Sequence, residues 1–122
     1  MQKTIFVVDD SGTNLSVAEE VLEKQYRVIT LASAARMFAI LKKVTPDLIL
    51  LDVEMPEMNG FEAIKQLKAG DAYAEIPVIF LTAMDDVANE AYGIELGAVD
   101  FISKPFFEPE LLKCIKKHLQ PT

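Results

Sequence analysis

Leu48-Ile49-Leu50-Leu51-Asp52 is four aliphatic side chains in a row, closed by a carboxylate. A short apolar run without polar alternation suits a strand covered on both faces, as in a parallel sheet held between helices. Reading outward, the design recurs. Ile5-Phe6-Val7-Val8 runs into Asp9-Asp10, Val78-Ile79-Phe80-Leu81 ends at Thr82, and Phe101-Ile102 runs into Ser103, Lys104 and Pro105. If these runs are parallel strands, their carboxyl ends share one edge. Three carboxylates, a hydroxyl and an ammonium then meet there.

Between the runs the apolar period becomes helical. Leu15, Ala18 and Leu22 form one stripe, and Ala34, Met37, Phe38 and Leu41 a second. Phe61, Ile64 and Leu67 form a third, ended by Gly70. Val87, Ala91 and Ile94 form a fourth, with Asp86 as N-cap and Gly97 just past the end. Leu112, Ile115 and Leu119 form the fifth, with Pro109 in its first turn. Strands are predicted over 4–8, 26–31, 48–52, 78–82 and 100–103, and the longest irregular stretch over 69–77. Strict alternation with right-handed crossovers predicts an α/β fold: a five-stranded parallel sheet in the order 2-1-3-4-5, with five helices on both faces, of flavodoxin-like type. In such a sheet the ligand site lies at the carboxyl ends of strands one and three. Those ends are Asp9-Asp10 and Asp52.

The 122 residues suit one domain, with 51% hydrophobic residues to fill its core. No apolar run approaches the roughly 18 residues of a membrane span, and no secretory leader follows Met1, so a cytoplasmic protein is expected. Cys114 is the only cysteine, which rules out an internal disulfide. A net charge of −7 argues against direct binding of nucleic acid.

Three clustered carboxylates repel one another unless a cation joins them. Mg²⁺ takes oxygen ligands and is commonly held by one or two carboxylates plus phosphate. Asp52 is the candidate nucleophile, because carboxylates form aspartyl-phosphate intermediates. Lys104 is the expected counter-charge to a phosphoryl group. Thr82 can donate its hydroxyl to a phosphoryl oxygen, and Ala83 beside it leaves room for the group. Taken singly, each has a plainer use: an aspartate pair caps a turn, a lysine sits in solvent, and a threonine or Phe101 fills a strand. Their common place at strand ends gives them weight.

These residues carry a resemblance. Phe6-Val7-Val8-Asp9-Asp10, Pro46-Asp47-Leu48-Ile49-Leu50-Leu51-Asp52, Met55-Pro56 with Gly60, Ile76-Pro77-Val78-Ile79-Phe80-Leu81-Thr82-Ala83, and Gly97-Ala98 through Asp100-Phe101-Ile102 to Lys104-Pro105-Phe106 appear in order and at family spacing. The chain resembles the receiver domain of two-component response regulators from Thr4 to Leu119, and is expected to be a single receiver domain over 1–122. The resemblance implies that Asp52 accepts a phosphoryl group from a phosphohistidine on a sensor histidine kinase or a histidine phosphotransfer protein. It implies Mg²⁺ (or Mn²⁺) on Asp10, Asp52 and the backbone carbonyl of Glu54, with Asp9 acting through a metal-bound water. Lys104 would pair with the phosphoryl oxygens, across a cis bond to Pro105. Thr82 would move toward the phosphate and Phe101 turn inward, remodelling the face of the fourth helix, fifth strand and fifth helix. That face would address an output domain or effector protein, and could form a homodimer on phosphorylation. Glu54 and Met84 fall where the family tunes phosphoryl lifetime, and 82–97 is similar to receivers that precede cyclic-dinucleotide-type output domains. Ser33-Ala34-Ala35-Arg36 departs from the common pattern without touching the chemistry.

Two other classes share the parts list. A haloacid-dehalogenase-type phosphatase also uses an aspartyl phosphate, Mg²⁺, Thr and Lys, but wants its nucleophile on the first strand with a second Asp two residues later. Here the candidate is on the third strand and residue 54 is Glu. A flavin module needs a phosphate-cradling loop where Asp9-Asp10 would repel phosphate. His118, the only histidine, reads as a partly exposed helix residue, and Cys114 as packed rather than reactive.

Overall fold

The computed structural model describes residues 2–82 and 87–119. Element order is β1 (Thr4–Val8), α1 (Gly12–Leu22), β2 (Arg27–Leu31), α2 (Ala34–Leu41), β3 (Leu48–Asp52), α3 (Gly60–Ala69), β4 (Val78–Thr82), α4 (Val87–Leu96), β5 (Asp100–Ser103) and α5 (Glu108–Leu119). The strands form one sheet in the order β2-β1-β3-β4-β5, every pairing parallel. β1, β3 and β4 are buried along their whole length, as uninterrupted apolar runs require.

Side chains alternate across the sheet into two cores. Phe6, Val8, Ile49, Leu51, Val78 and Phe80 pack with α2 and α3 through Met37, Ile64 and Leu67. Ile5, Val7, Leu48, Leu50, Ile79, Leu81 and Ile102 pack with α1 and α5 through Leu22, Leu111 and Ile115. Helix starts are capped by the residues before them. Ser11 accepts from the Asn14 N–H and Ser33 from the Arg36 N–H, and Asn59 with Glu62 forms a reciprocal capping box on α3. The stretch between α3 and β4 is tied down by Lys68, whose Nζ donates to the carbonyls of Ala74 and Ile76 at 2.9 and 3.0 Å.

The α4 stripe needs correction. Ala91 and Ile94 are exposed, Ile94 half so. The buried position is Gly93, with Leu96 packed on the same core. A β-carbon on Gly93 would lie 2.6 Å from the Phe101 ring and 2.8 Å from the Phe80 ring. Two aromatic rings occupy the space an aliphatic stripe would have filled. The Asp86 cap, Ala83 and Met84 lie outside the described residues, as does the Val87 side chain.

Candidate functional site

The sheet's alternation decides who meets whom. Val8 pairs with Leu51, so Asp9 and Asp52 follow at neighbouring strand ends. Asp52 continues the parity of Leu48 and Leu50, and Asp9 that of Ile5 and Val7. Lys104 continues the parity of Ile102. Its N–H donates to the Thr82 carbonyl at 2.9 Å, carrying the β4–β5 ladder one residue further. All three side chains therefore emerge on the α1/α5 side, and the Lys104 Nζ lies 2.9 Å from Asp52 Oδ1 and 3.4 Å from Asp9 Oδ2. The peptide bond from Lys104 to Pro105 is cis.

Asp9 and Asp52 are almost fully buried, and Asp10 is exposed. One carboxylate oxygen from each lies within 4.8 Å of the others. Asp9 is held by the Ser11 N–H at 2.9 Å and the Asn14 side-chain amide at 3.2 Å. Asn14, on the first turn of α1, escaped the sequence reading. Only its spacing of five residues from Asp9 could have signalled it. The Glu54 N–H donates to Asp52 Oδ1 at 3.4 Å. Loss of solvent around Asp52 pushes its pKa up to about 6. Asp9's charge adds to the rise, while the Lys104 bond opposes it. Burial works against the Lys104 charge, yet the carboxylates of Asp52 and Asp9 outweigh it and hold its pKa above the usual value.

Three carboxylates against one ammonium leave negative charge uncompensated in a nearly dry place. The donors are all oxygen, and one acid faces solvent. That set fits a hard divalent cation with water on its open side. Past Asp52, a cleft of about 490 Å³ is lined by Val53, Glu54, Met55, Phe61 and Asn89. At the start of α3, Gly60 lets the helix approach β3 closely. A β-carbon there would collide with the Asp52 carbonyl and with Val53 Cα, 2.9 Å away.

Thr82 and Phe101 have the opposite parity and belong to the α3/α4 side. Thr82 is buried at the end of β4, opposite Ser103. Phe101 is partly buried, and its ring stands 5.6 Å from that of Phe80. Phe80 meets Phe61 edge-on at 5.4 Å, and Phe61 meets Tyr92 of α4 at 4.9 Å. A row of rings thus leads from β5 through the sheet's face to α4. Only Phe101 of these rings was singled out from sequence; Phe61 and Phe80 read as ordinary core, and Tyr92 was not noticed.

Away from this site, Asp100 Oδ2 accepts from Cys114 Sγ at 3.4 Å and lies 2.9 Å from His118 Nε2. Burial, then the charge of Asp100 and its hydrogen bond, push the Cys114 thiol up to about 12, so it is no ready nucleophile. Burial raises the Asp100 pKa, but the bonds from His118, the Phe101 N–H and Cys114 outweigh it and hold it below the usual range.

Comparison with known proteins agrees with this architecture. The response regulator receiver domain family matches residues 5–116. The chain is 42% identical over 119 residues to the Vibrio cholerae protein named "Probable cyclic di-GMP phosphodiesterase", covering 98% of this chain but 27% of that protein. It is 36% identical to Protein PilH of Pseudomonas aeruginosa, covering 91% of this chain and 93% of that one. The crystal structure of the Vibrio cholerae chemotaxis protein CheY4 superposes with a TM-score of 0.92 at 30% identity, over 98% of this chain and all (100%) of that one. The phosphatase alternative finds no support in these matches, and its required first-strand nucleophile is not where Asp52 lies. Among the described residues no helix is long and apolar enough to cross a membrane. By family match, sheet order and the acids at its edge, the chain belongs to the response regulator receiver domains, the phosphorylation-activated switches of two-component signalling.

Proposed function

We propose that Asp52 is the phosphoacceptor, in a single receiver domain over residues 1–122 that catalyses only its own phosphorylation and dephosphorylation. The observation that carries this is the Lys104 ammonium 2.9 Å from a buried Asp52 carboxylate that two further acids surround. A carboxylate oxygen of Asp52 attacks the phosphorus of a phosphohistidine. The P–N bond breaks as the P–O bond forms, and the leaving imidazole takes up a proton. Lys104, whose Nζ lies 2.9 Å from Asp52 Oδ1, would pair with the transferred oxygens, and Thr82 would supply a hydroxyl from the next strand end. Asp10, Asp52 and the Glu54 carbonyl would hold Mg²⁺ or Mn²⁺ directly, and Asp9 through water. Bound there, a divalent cation neutralises the acids and the negative oxygens of the phosphoryl group. Catalysis is then positioning plus charge compensation.

Phosphorylation biases two packings of Thr82 and Phe101, and α4, β5 and α5 present the result. The donor is a sensor histidine kinase or a histidine phosphotransfer protein, and the reader an output domain, an effector or a second phosphorylated copy. The lone cysteine agrees with a cytoplasmic setting. The test is labelling by acetyl phosphate with Mg²⁺: the parent takes up one phosphoryl group and Asp52→Asn none. Undiminished labelling of the variant would place the acceptor elsewhere.

A further inference from the structure

We propose that Asp100, Cys114 and His118 form a second cation site, for a borderline divalent transition ion of the Zn²⁺ class. The chain has one cysteine and one histidine, and the fold brings both to the same carboxylate. Cys114 and His118 lie one turn apart on α5, so their side chains stack on one face. Asp100 opens β5 and meets them from the sheet. One ligand atom from each of the three lies within 4.8 Å of the others.

The detail of Asp100 favours a cation over a plain ion pair. Its Oδ1 accepts the Phe101 N–H at 2.8 Å, which fixes the carboxylate and leaves Oδ2 for both partners. A single oxygen then serves two donors, a thiol and an imidazole. That is the arrangement a metal's carboxylate ligand has when protons stand where the ion would be. The backbone bond to Oδ1 is the kind of outer support that metal ligands need.

The spacing is also close. Tetrahedral Zn²⁺ with ordinary bonds to S, N and O puts its ligand atoms about 3.4–3.6 Å apart. Sγ to Oδ2 is 3.4 Å, and Nε2 to Oδ2 is 2.9 Å. Seating the ion needs Nε2 to retreat by about half an ångström, a shift within reach of a side chain near the end of α5. On binding, the thiol proton leaves to solvent, and the Nε2 proton leaves with it or, in the neutral ring, shifts to Nδ1 so that Nε2 can ligate. The thiolate and carboxylate then balance the ion's two charges, and the imidazole binds neutral. Three protein ligands leave the fourth position to water. All three residues are only partly buried. Asp100 also lines an open groove of about 450 Å³ with Glu90 and Glu110, an acidic mouth for an arriving cation. Sulfur and imidazole donors select against Mg²⁺, so the site is chemically distinct from the all-oxygen pocket at Asp52.

The sole cysteine makes the test unambiguous. The metal-free chain is titrated with Co²⁺ in excess Mg²⁺, which keeps the acidic pocket filled. The expected result is a thiolate-to-cobalt charge-transfer band in the near ultraviolet. It saturates at one ion per chain, is bleached by Zn²⁺ and persists in Asp52→Asn. Cys114→Ser abolishes the band, and Asp100→Asn and His118→Gln each weaken Co²⁺ binding at least about tenfold. Circular dichroism confirms that each variant is folded. No band in the parent, or a band that survives His118→Gln and Asp100→Asn at unchanged affinity, overturns the proposal. The cluster is then a set of hydrogen bonds to Asp100 and no metal site.

Discussion

Asp52→Asn should stabilise the metal-free protein at neutral pH. The Asp52 carboxylate sits 2% exposed beside Asp9, which is fully buried, and its pKa is raised from 3.8 to about 6. At about 1.4 kcal/mol for each tenfold, that rise corresponds to roughly 3 kcal/mol of stability lost when the group ionises. Lys104's attraction is already inside that balance, because it opposes the rise. The sign follows from the direction. The folded value lies above the unfolded one, so Asp52's contribution is fully present below pH 3.8 and is lost as pH rises through about 6. Asparagine stands in for the protonated acid at every pH. Urea unfolding with a chelator present should therefore show the variant ahead by about 2–3 kcal/mol at neutral pH, with the gap closing near pH 4. Saturating Mg²⁺ should narrow the neutral-pH gap, since it binds the folded parent more tightly than the variant. Equal stabilities at both pH values, or a variant less stable at neutral pH, would refute the idea that Asp52 is held against its own ionisation.

Two further outcomes test the packing. Gly93→Ala should cost stability, because overpacking against Phe80 and Phe101 at about 1–3 kcal/mol exceeds the roughly 1 kcal/mol helix gain. Gly12→Ala, whose β-carbon meets nothing within 4 Å, should be neutral or slightly stabilising; paired melts of the two variants decide it. Asn59→Ala should lose about 1 kcal/mol by breaking the α3 capping box, read as a lower urea midpoint at unchanged slope.

The sheet was legible because its strands are buried on both faces, so each reads as a bare apolar run ending in chemistry. Asp9, Asp52 and Lys104 were legible for the same reason: each stands just where its run stops. Their parity explains why they converge, and it can be counted from the sequence once the strands are placed. What stayed hidden depends on contacts between distant elements. The buried face of α4 turns on Gly93, which carries no hydrophobic signal of its own and is defined by the two rings pressed against it. Asn14 reads as an ordinary polar helix residue until Asp9 is seen beside it. Asp100, Cys114 and His118 come from two elements, and nothing in their spacing announces that they share an oxygen.

The strand parity has one more consequence. Asp9, Asp52 and the Lys104 ammonium stand on one side of a single-layer wall, and the ring row from Phe101 to Tyr92 on the other. An event on the first side is electrical, and on the second it is steric. Substitutions around Asn14 would therefore alter the charge balance beside Asp52, and substitutions around Gly93 the fit of the rings.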